Sequence, residues 1–393
     1  MKVYIATMNP FPIGLAATNR IIHYGKGLVK SGMECEVVVI YRTERGNIVN
    51  RLAEGVYEDI PFRYISGNTE RSNSFIRRRI DDLISDIGLF RNLCRKTKKG
   101  DVILWYIGSK GLLYTRLVQI ICACKGVRLV RELCELPYAT SNDSVWSRFR
   151  RWCYNKIVMP RFDGFVSISE ELSVYAGRVA RGVPYVKVPI LVDVNQYNDI
   201  VAHEHNRPYI FHAGTMYERK DAIVSTMKAF ALASKLLNHR VDFILAGPQS
   251  PHYEELQQII KVNHLEDNIH FIGKITHAEV LSYQKGAALS ILNKNDNLQN
   301  RCGFSTKLGD VLLAGVPVIT TTVGEANYFL KDGESAYICA PHNVEALAAK
   351  ITEAFADDDK RIRIGATGRE IAKKYFDCNM QGRRMRDFFE TLK

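Results

Sequence analysis

The chain alternates between short runs that are apolar throughout and longer stretches in which apolar residues recur every third or fourth position. KVYIAT (2–7), ECEVVVIY (34–41), DVILWY (101–106), VRLVRE (127–132), GFVSIS (164–169) and YVKVPI (185–190) are such runs in the first half. The second half repeats the pattern with YIFHAG (209–214), VDFILAG (241–247), NIHFIG (268–273), ALSILN (288–293), VPVITT (316–321) and SAYICA (335–340). Strands without a polar side are covered on both faces, and amphipathic segments such as DAIVSTMKAFALASKLL (221–237) are the helices that cover them. The pattern predicts an α/β protein of two doubly wound Rossmann-like domains facing a central cleft. Their expected extents are residues 1–199 and 200–378, with the polar stretch NDIVAHEHNRP (198–208) as linker. Residues 379–393 form an amphipathic end able to dock back on the first domain. Parallel sheets bind ligands at the carboxyl ends of their strands, so the loops there are where chemistry is sought.

Composition narrows the class. A chain of 393 residues with 46% apolar and 24% charged residues is globular and too long for one ordinary core. No apolar run reaches the roughly 18 to 20 residues of a membrane-spanning helix. The opening MKVYIATMNPFPIG lacks the long apolar region and cleavage site of a signal peptide. Nine cysteines, scattered and never in a C-x-x-C pair, read as reduced thiols in the cytoplasm and not as a disulfide framework or a zinc site.

Charge is distributed unevenly. Of the net +12, residues 1–199 hold 30 Lys+Arg against 19 Asp+Glu, and the rest of the chain is nearly balanced. The excess concentrates in residues 71–99 and 145–162, where Phe75, Leu89, Phe90, Trp146, Phe149 and Trp152 are interleaved with the arginines. One reading is a solvated helix face; the other is attraction to an anionic membrane surface, which would place the protein peripherally at the inner face of the membrane. A nucleic-acid partner is not expected, because no helix-turn-helix, zinc-finger or RNA-binding signature accompanies the charge.

Three loops carry candidate chemistry. In GFSTKLGDVLLAGVPVITTTVG (303–324) a lysine and an aspartate stand three apart at the start of an apolar helix pattern. With a helix beginning at about Thr306, Ser305 is its N-cap, and the free amides from Phe304 to Thr306, beside Gly303 and Lys307, attract an anion. Asp310 follows on the same face, about 4.5 Å along the axis. The spacing suits a ligand with phosphate at one end and hydroxyls at the other, the layout of a nucleoside-diphosphate sugar; the competing reading is a surface Lys307–Asp310 pair worth a few tenths of a kcal/mol. In FHAGTMYERKDAIV (211–224) a strand ends at Gly214, and Arg219 and Lys220 precede a helix expected to begin near Asp221, again placing positive charge beside a helix N-terminus. The third loop, MNPFPIGLAATNRI (8–21), holds Gly14 but not G-x-G-x-x-G, so the dinucleotide fingerprint is not met.

These motifs together resemble the family-four retaining glycosyltransferases (group 1) with the GT-B fold, most strongly over residues 209–342. AGTMYERKDAIVSTMKAF is similar to the family's strand, glycine, lysine loop and helix, with Lys220 at the lysine and Thr215 where an arginine is common. FILAGP (243–248) and IHFIGKI (269–275) resemble its base-pocket segments, which brings in Gly247 and Ile275. GFSTKLGDVLLAGVPVITT resembles its motif of two glutamates with seven residues between them, with Asp310 at the second and Cys302 at the first; Trp105 and Tyr106 stand where many members carry a histidine. FDGFVSISEEL (162–172) resembles the strand before the family's interdomain linker.

What the resemblance implies is transfer of a sugar from a nucleoside-diphosphate-sugar donor to a hydroxyl acceptor with retention of anomeric configuration, in surface polysaccharide or glycan assembly. The acceptor is a saccharide or a lipid-linked saccharide. Arg219 and Lys220 would stabilise the departing diphosphate, and Gly14, Gly214, Thr215, Gly247, Ile275, Gly303, Phe304, Ser305, Thr306, Lys307 and Asp310 would hold the donor. No metal and no cofactor is expected; the D-x-D at Asp357-Asp358-Asp359 reads as solvated surface. Two other readings stay open, a non-hydrolysing sugar-nucleotide epimerase and a non-catalytic nucleotide-sugar-binding protein.

Overall fold

The computed structural model describes residues 1–108, 111–137 and 144–392. They divide into two compact units, Met1–Leu191 with Cys378–Lys393, and Val192–Asp377.

The first unit is built on a sheet of eight strands, β1 (Lys2–Thr7), β2 (Glu34–Val39), β3 (Glu54–Tyr57), β4 (Ile60–Tyr64), β5 (Val102–Tyr106), β6 (Arg128–Leu133), β7 (Gly164–Ser167) and β8 (Tyr185–Lys187), in the order β3-β4-β2-β1-β5-β6-β7-β8. All neighbours run parallel except β3 and β4. That hairpin was not expected from the hydrophobic pattern, since EGVY and IPFRY are short and partly exposed. Its turn residues Glu58 and Asp59 both have positive φ, the two-residue geometry that matches strand twist.

The helix Ala16–Lys30 covers one face together with the terminal helix Cys378–Thr391, whose Cys378, Met385 and Phe389 complete the unit's core beside Val3, Ile5 and Leu28. The two helices touch through glycine: a Cβ on Gly382 would stand 2.1 Å from the Gly27 carbonyl carbon. Inside the same unit the Arg20 guanidinium is fully enclosed. Its Nε lies 3.0 Å from Glu132, and its terminal nitrogens donate to the carbonyls of Pro189 and Val188 at 2.7 and 2.9 Å. The pair ties that helix to β6 and to the segment after β8. Trp105 and Tyr106 are likewise core residues of β5.

The second unit holds β9 (Tyr209–Ala213), β10 (Asp242–Ala246), β11 (Ile269–Gly273), β12 (Leu289–Leu292), β13 (Val318–Thr321) and β14 (Tyr337–Cys339). They form an all-parallel sheet in the order β11-β10-β9-β12-β13-β14. Strand order reverses between β9 and β12, and crevices at the carboxyl end of such a switch point are where doubly wound sheets bind ligands. The core gathers Phe243, Leu245 and Ile291 from the strands with Met227, Phe230 and Ile351 from the covering helices.

The division between units falls before Val192, earlier than the boundary at 199 read from composition. The reason is hydrogen bonding. Val192 pairs with the backbone at Phe376, and the Tyr197 hydroxyl donates to Gln284 at 2.8 Å. The expected linker is also pinned down: His203 donates to the Ser282 carbonyl, Lys285 to that of Ile200, and His205 sits 2.7 Å from Asp242. Polarity marked this stretch as a linker, whereas its polar groups are engaged along the second unit.

Candidate active site

At the switch point of the second unit, Gly214 directly follows β9, and β10 and the turn after it bring Gly247 against it. A Cβ on Gly247 would lie 1.9 Å from the Gly214 carbonyl oxygen, and its φ of +144° is one that side-chain-bearing residues rarely adopt. A Cβ on Gly214 would lie 2.1 Å from the ammonium nitrogen of Lys307. Gly247 therefore requires glycine, backbone lying against backbone, while at Gly214 the missing side chain leaves room for the lysine's ammonium.

Lys307 belongs to the helix Thr306–Leu313, which sets it facing the loop after β9. Its Nζ is 3.3 Å from Asp221, and Lys294, from the loop after β12, reaches the same carboxylate oxygen at 3.0 Å. Burial alone would raise the Asp221 carboxyl; the two ammonium groups overcome it and hold the group well below the usual carboxylate range. Burial pulls Lys307 down to about 8 against the attraction of Asp221, with Lys294 and Lys220 adding repulsion. The other Asp221 oxygen has no hydrogen-bond partner. Beneath this cluster His212 is enclosed, and burial and then Lys307 push it down to about 3, so it is neutral at physiological pH. With Nδ1 against the Ile291 carbonyl at 3.3 Å, its unpartnered Nε2 is an acceptor on the Gly214 side.

The loop after β12 fixes the backbone of the short helix Glu218–Asp221. Lys294 donates to the Lys220 carbonyl, Asn295 to that of Glu218 and Asn297 to that of Arg219, each at 2.9 Å. The side chains of Arg219 and Lys220 point outward, exposed and without an ion pair among the described residues. Two cations free to meet a ligand thus sit on a backbone that is held firmly.

Several sequence expectations are revised here. The helix after β9 does not begin near Asp221: Ala222 takes a left-handed conformation, φ 45°, and the helix proper is Ile223–Leu236. Its N-terminus is occupied by the Glu218 carboxylate, which accepts from the Val224 amide at 2.7 Å and from Ser225 at 3.0 Å. That terminus therefore offers nothing to a phosphate, and the positive charge comes from lysines. Ser305 does occupy the N-cap position of Thr306–Leu313 but makes no side-chain cap; its carbonyl accepts from the Leu308 amide at 3.0 Å. Lys307 and Asp310 do not pair with each other. Asp310 instead accepts from Gln196 at 3.0 Å, and burial raises its carboxyl against that bond.

Of the remaining residues, Thr215 is exposed, Gly303 ends the helix Leu298–Cys302, and Phe304 is locked into an aromatic group with Phe329 and Phe376. Its ring anchors the loop, so only its backbone is available to a ligand. Ile275, after β11, packs beside Phe211 and Ile244. Cys302 is buried, and a buried carboxylate, Glu325, lies in the turn after β13, where Gly324 approaches the Asn300 carbonyl so closely that a Cβ would stand 2.6 Å from its oxygen. Gly14 lies in the first unit, after β1, where a Cβ would strike the Thr18 hydroxyl. Asp221, Lys294 and His212 were missed by sequence reasoning. The available signal was a lysine directly following the apolar run ALSILN.

One grouping of metal-ligating atoms occurs among the described residues, His205, Asp242 and His270. It lies at the amino end of β10, away from the lysines, and Arg207 already stands 3.4 Å from the same carboxylate. In the triplet at 357–359, Asp357 caps the following helix through the Lys360 amide, and Asp358 pairs with Arg361.

The sequence profile of the glycosyl transferases group 1 matches residues 193–371, nearly the whole second unit. The second unit belongs to that family. Among relatives, N-acetyl-alpha-D-glucosaminyl L-malate synthase of Bacillus anthracis is 22% identical over 160 residues, 41% of this chain and 39% of that protein. The chain spans a third to about two fifths of the length of the curated relatives it matches. Among solved structures, sucrose-phosphate synthase of Thermosynechococcus elongatus superposes with a TM-score of 0.75 at 15% identity, covering 100% of this chain and 99% of the other. HepE of Anabaena, solved in complex with UDP, gives 0.73 at 15% identity and full coverage of both chains. The structural likenesses extend through the first unit, so the chain shares their α/β fold over its whole length.

Proposed function

We propose that the whole chain is a group 1 glycosyl transferase that moves a sugar from a nucleoside-diphosphate donor to a hydroxyl of a saccharide or lipid-linked saccharide, with retention at the anomeric carbon and without a metal, in glycan or polysaccharide assembly. The observation that carries the reading is the convergence of Lys294 and Lys307 on Asp221 beside Gly214 at the switch point. As the bond from the anomeric carbon to the diphosphate oxygen breaks, negative charge gathers on the leaving group. Fixed cations aimed at that charge stabilise the transition state, and loss of one such donor typically costs about 2.7 to 4 kcal/mol, roughly 10² to 10³ in rate. Lys307 with the amides of Ser305 and Thr306, and Arg219 and Lys220 from the opposite loop, have this role. The acceptor oxygen bonds to the anomeric carbon, and its proton passes to the departing diphosphate. Asp310, held by Gln196, receives ribose hydroxyls, and the pocket after β10 and β11, with Gly247 and Ile275, receives the base.

Because HepE is solved with UDP, uridine nucleotides are the first probes. A thermal-shift panel of UDP, GDP, ADP, CMP and their sugar conjugates tests the reading. A nucleotide at about a hundred times its dissociation constant adds about 2.7 kcal/mol of stability. Stabilisation by a nucleoside diphosphate that is lost in Lys307→Ala supports it, and no shift with any of them overturns it. Transfer that persists in EDTA supports the metal-free step; abolition by EDTA with rescue by manganese removes it.

A further inference from the structure

In the first unit the helix Phe75–Lys96 is turned inside out over its first three turns. Its buried side carries Asp81 and Ser85, the latter 1% exposed, while Ile76 and Ile80 are 71% and 52% exposed. Leu83, Ile84 and Ile87 continue the apolar outer stripe at helical spacing. The acids are consumed inward: Asp81 pairs with Arg42, Asp82 with Arg71, and Asp86 with the Tyr41 hydroxyl. The charged residues that face outward are Arg77, Arg79, Arg91, Arg95 and Lys96.

Two further helices share this layer. Phe75–Lys96, Leu112–Lys125 and Val145–Cys153 follow β4, β5 and β6, and each connection leads in the same direction along the sheet to a parallel strand. Right-handed crossovers put all three on one face, opposite Ala16–Lys30. Leu112–Lys125 exposes Leu113, Leu117 and Ile120 and contains no acid. Val145–Cys153 exposes Trp146, at 66%, with Phe149 and Trp152 stacked along one side, between Arg148, Arg150 and Arg151. An apolar surface of this extent on adjacent elements marks an interaction site. A second copy of the chain would set cations against cations, whereas aromatic and branched apolar side chains among arginines match a bilayer interface with anionic headgroups.

We propose that this three-helix face docks on an anionic lipid bilayer, with the apolar stripe entering the headgroup boundary and the arginines engaging lipid phosphates. Arg77 also lines a cavity of about 410 Å³ with Arg42, Arg71 and Asn73, so the docked bilayer lies beside that cavity. That the cavity receives the head of a membrane-held acceptor rests on the transferase reading; the docking does not.

Flotation of the full chain with phosphatidylcholine vesicles, alone or mixed with phosphatidylglycerol, tests it. The expected result is flotation with the mixed vesicles only, lost at high salt. Arg148→Gln and Arg150→Gln should each weaken it about fivefold, the equivalent of about 1 kcal/mol per cation near the surface. The pair I80E/I84E alters side chains already in water, so it should keep the melting temperature while remaining in solution. No flotation at low salt, or flotation unaffected by I80E/I84E, overturns the proposal. A dimer that dissociates in I80E/I84E also overturns it, in favour of a second copy. Flotation without any nucleotide-induced thermal shift leaves the docking standing and removes the transferase reading.

Discussion

Gly214 and Lys307 are so close that the methyl group of an alanine at 214 would occupy the space of the lysine's ammonium, 2.1 Å from its nitrogen. The obstacle is the far end of a flexible side chain. Gly214→Ala should therefore fold with nearly unchanged stability while displacing Lys307, and nucleotide affinity should fall. Gly247→Ala meets the carbonyl oxygen of Gly214 and a φ of +144°, neither of which can yield cheaply. It should lower the melting temperature clearly. Thermal melts of both variants with and without nucleotide separate the two effects.

Removing the charge is a sharper intervention. Lys307→Met leaves Asp221 paired with Lys294, so the fold should hold while turnover falls by roughly 10² to 10³. Asp221→Asn should do the opposite damage, leaving two ammonium groups facing each other without their shared anion; unfolding in urea should show the loss. A Lys307→Met enzyme with near-normal turnover would remove the lysine from the proposed step.

The lowered affinity of Lys307 for its proton sets a pH dependence. Its ammonium loses the proton at about 8 in the folded protein, against 10.5 ordinarily, so the unfolded chain binds more protons between these values and stability contributed by this group rises with pH across them. Binding of a diphosphate runs the other way, because it needs the charged form. Nucleotide-induced thermal shifts should shrink between about pH 7 and about pH 9, approaching tenfold in affinity per unit above the titration point. In Lys307→Arg the shifts should stay flat over that range, and a flat wild-type profile would show that the lysine is not a ligand-binding charge.

In the first unit, Glu132→Leu strands the Arg20 guanidinium without its carboxylate, and should cost about 3 to 5 kcal/mol of stability by denaturant titration. Arg20→Met combined with Glu132→Leu should recover part of that loss, since neither charge then remains buried.

The strands were legible because parallel strands covered on both faces read as unbroken apolar runs, and VDFILAG or VPVITT admits little else. The β3–β4 hairpin was not, because Glu54 and Arg63 stand among its few residues and dilute the pattern. At the candidate site Gly214, Lys220, Lys307 and Asp310 stood out as polar or glycine positions at strand ends. Asp221 did not, since in RKDAIV an aspartate before an apolar run reads as a helix start. Its burial follows from Lys294 and Lys307, which lie 73 and 86 residues further along the chain, and a pairing over that distance leaves no local periodicity. The Glu218 cap was hidden for a related reason: it acts across the left-handed turn at Ala222, which no residue type announces.

The terminal helix Cys378–Thr391 contributes Met385 and Phe389 to a core whose other members begin at Val3. During synthesis, then, the first unit cannot close when its own sheet leaves the ribosome. It must wait, with the surface of Ala16–Lys30 around Gly27 uncovered, while the entire second unit is translated and folds. A nascent chain of this protein is vulnerable to aggregation and to capture by chaperones through that surface until Cys378–Thr391 has been made.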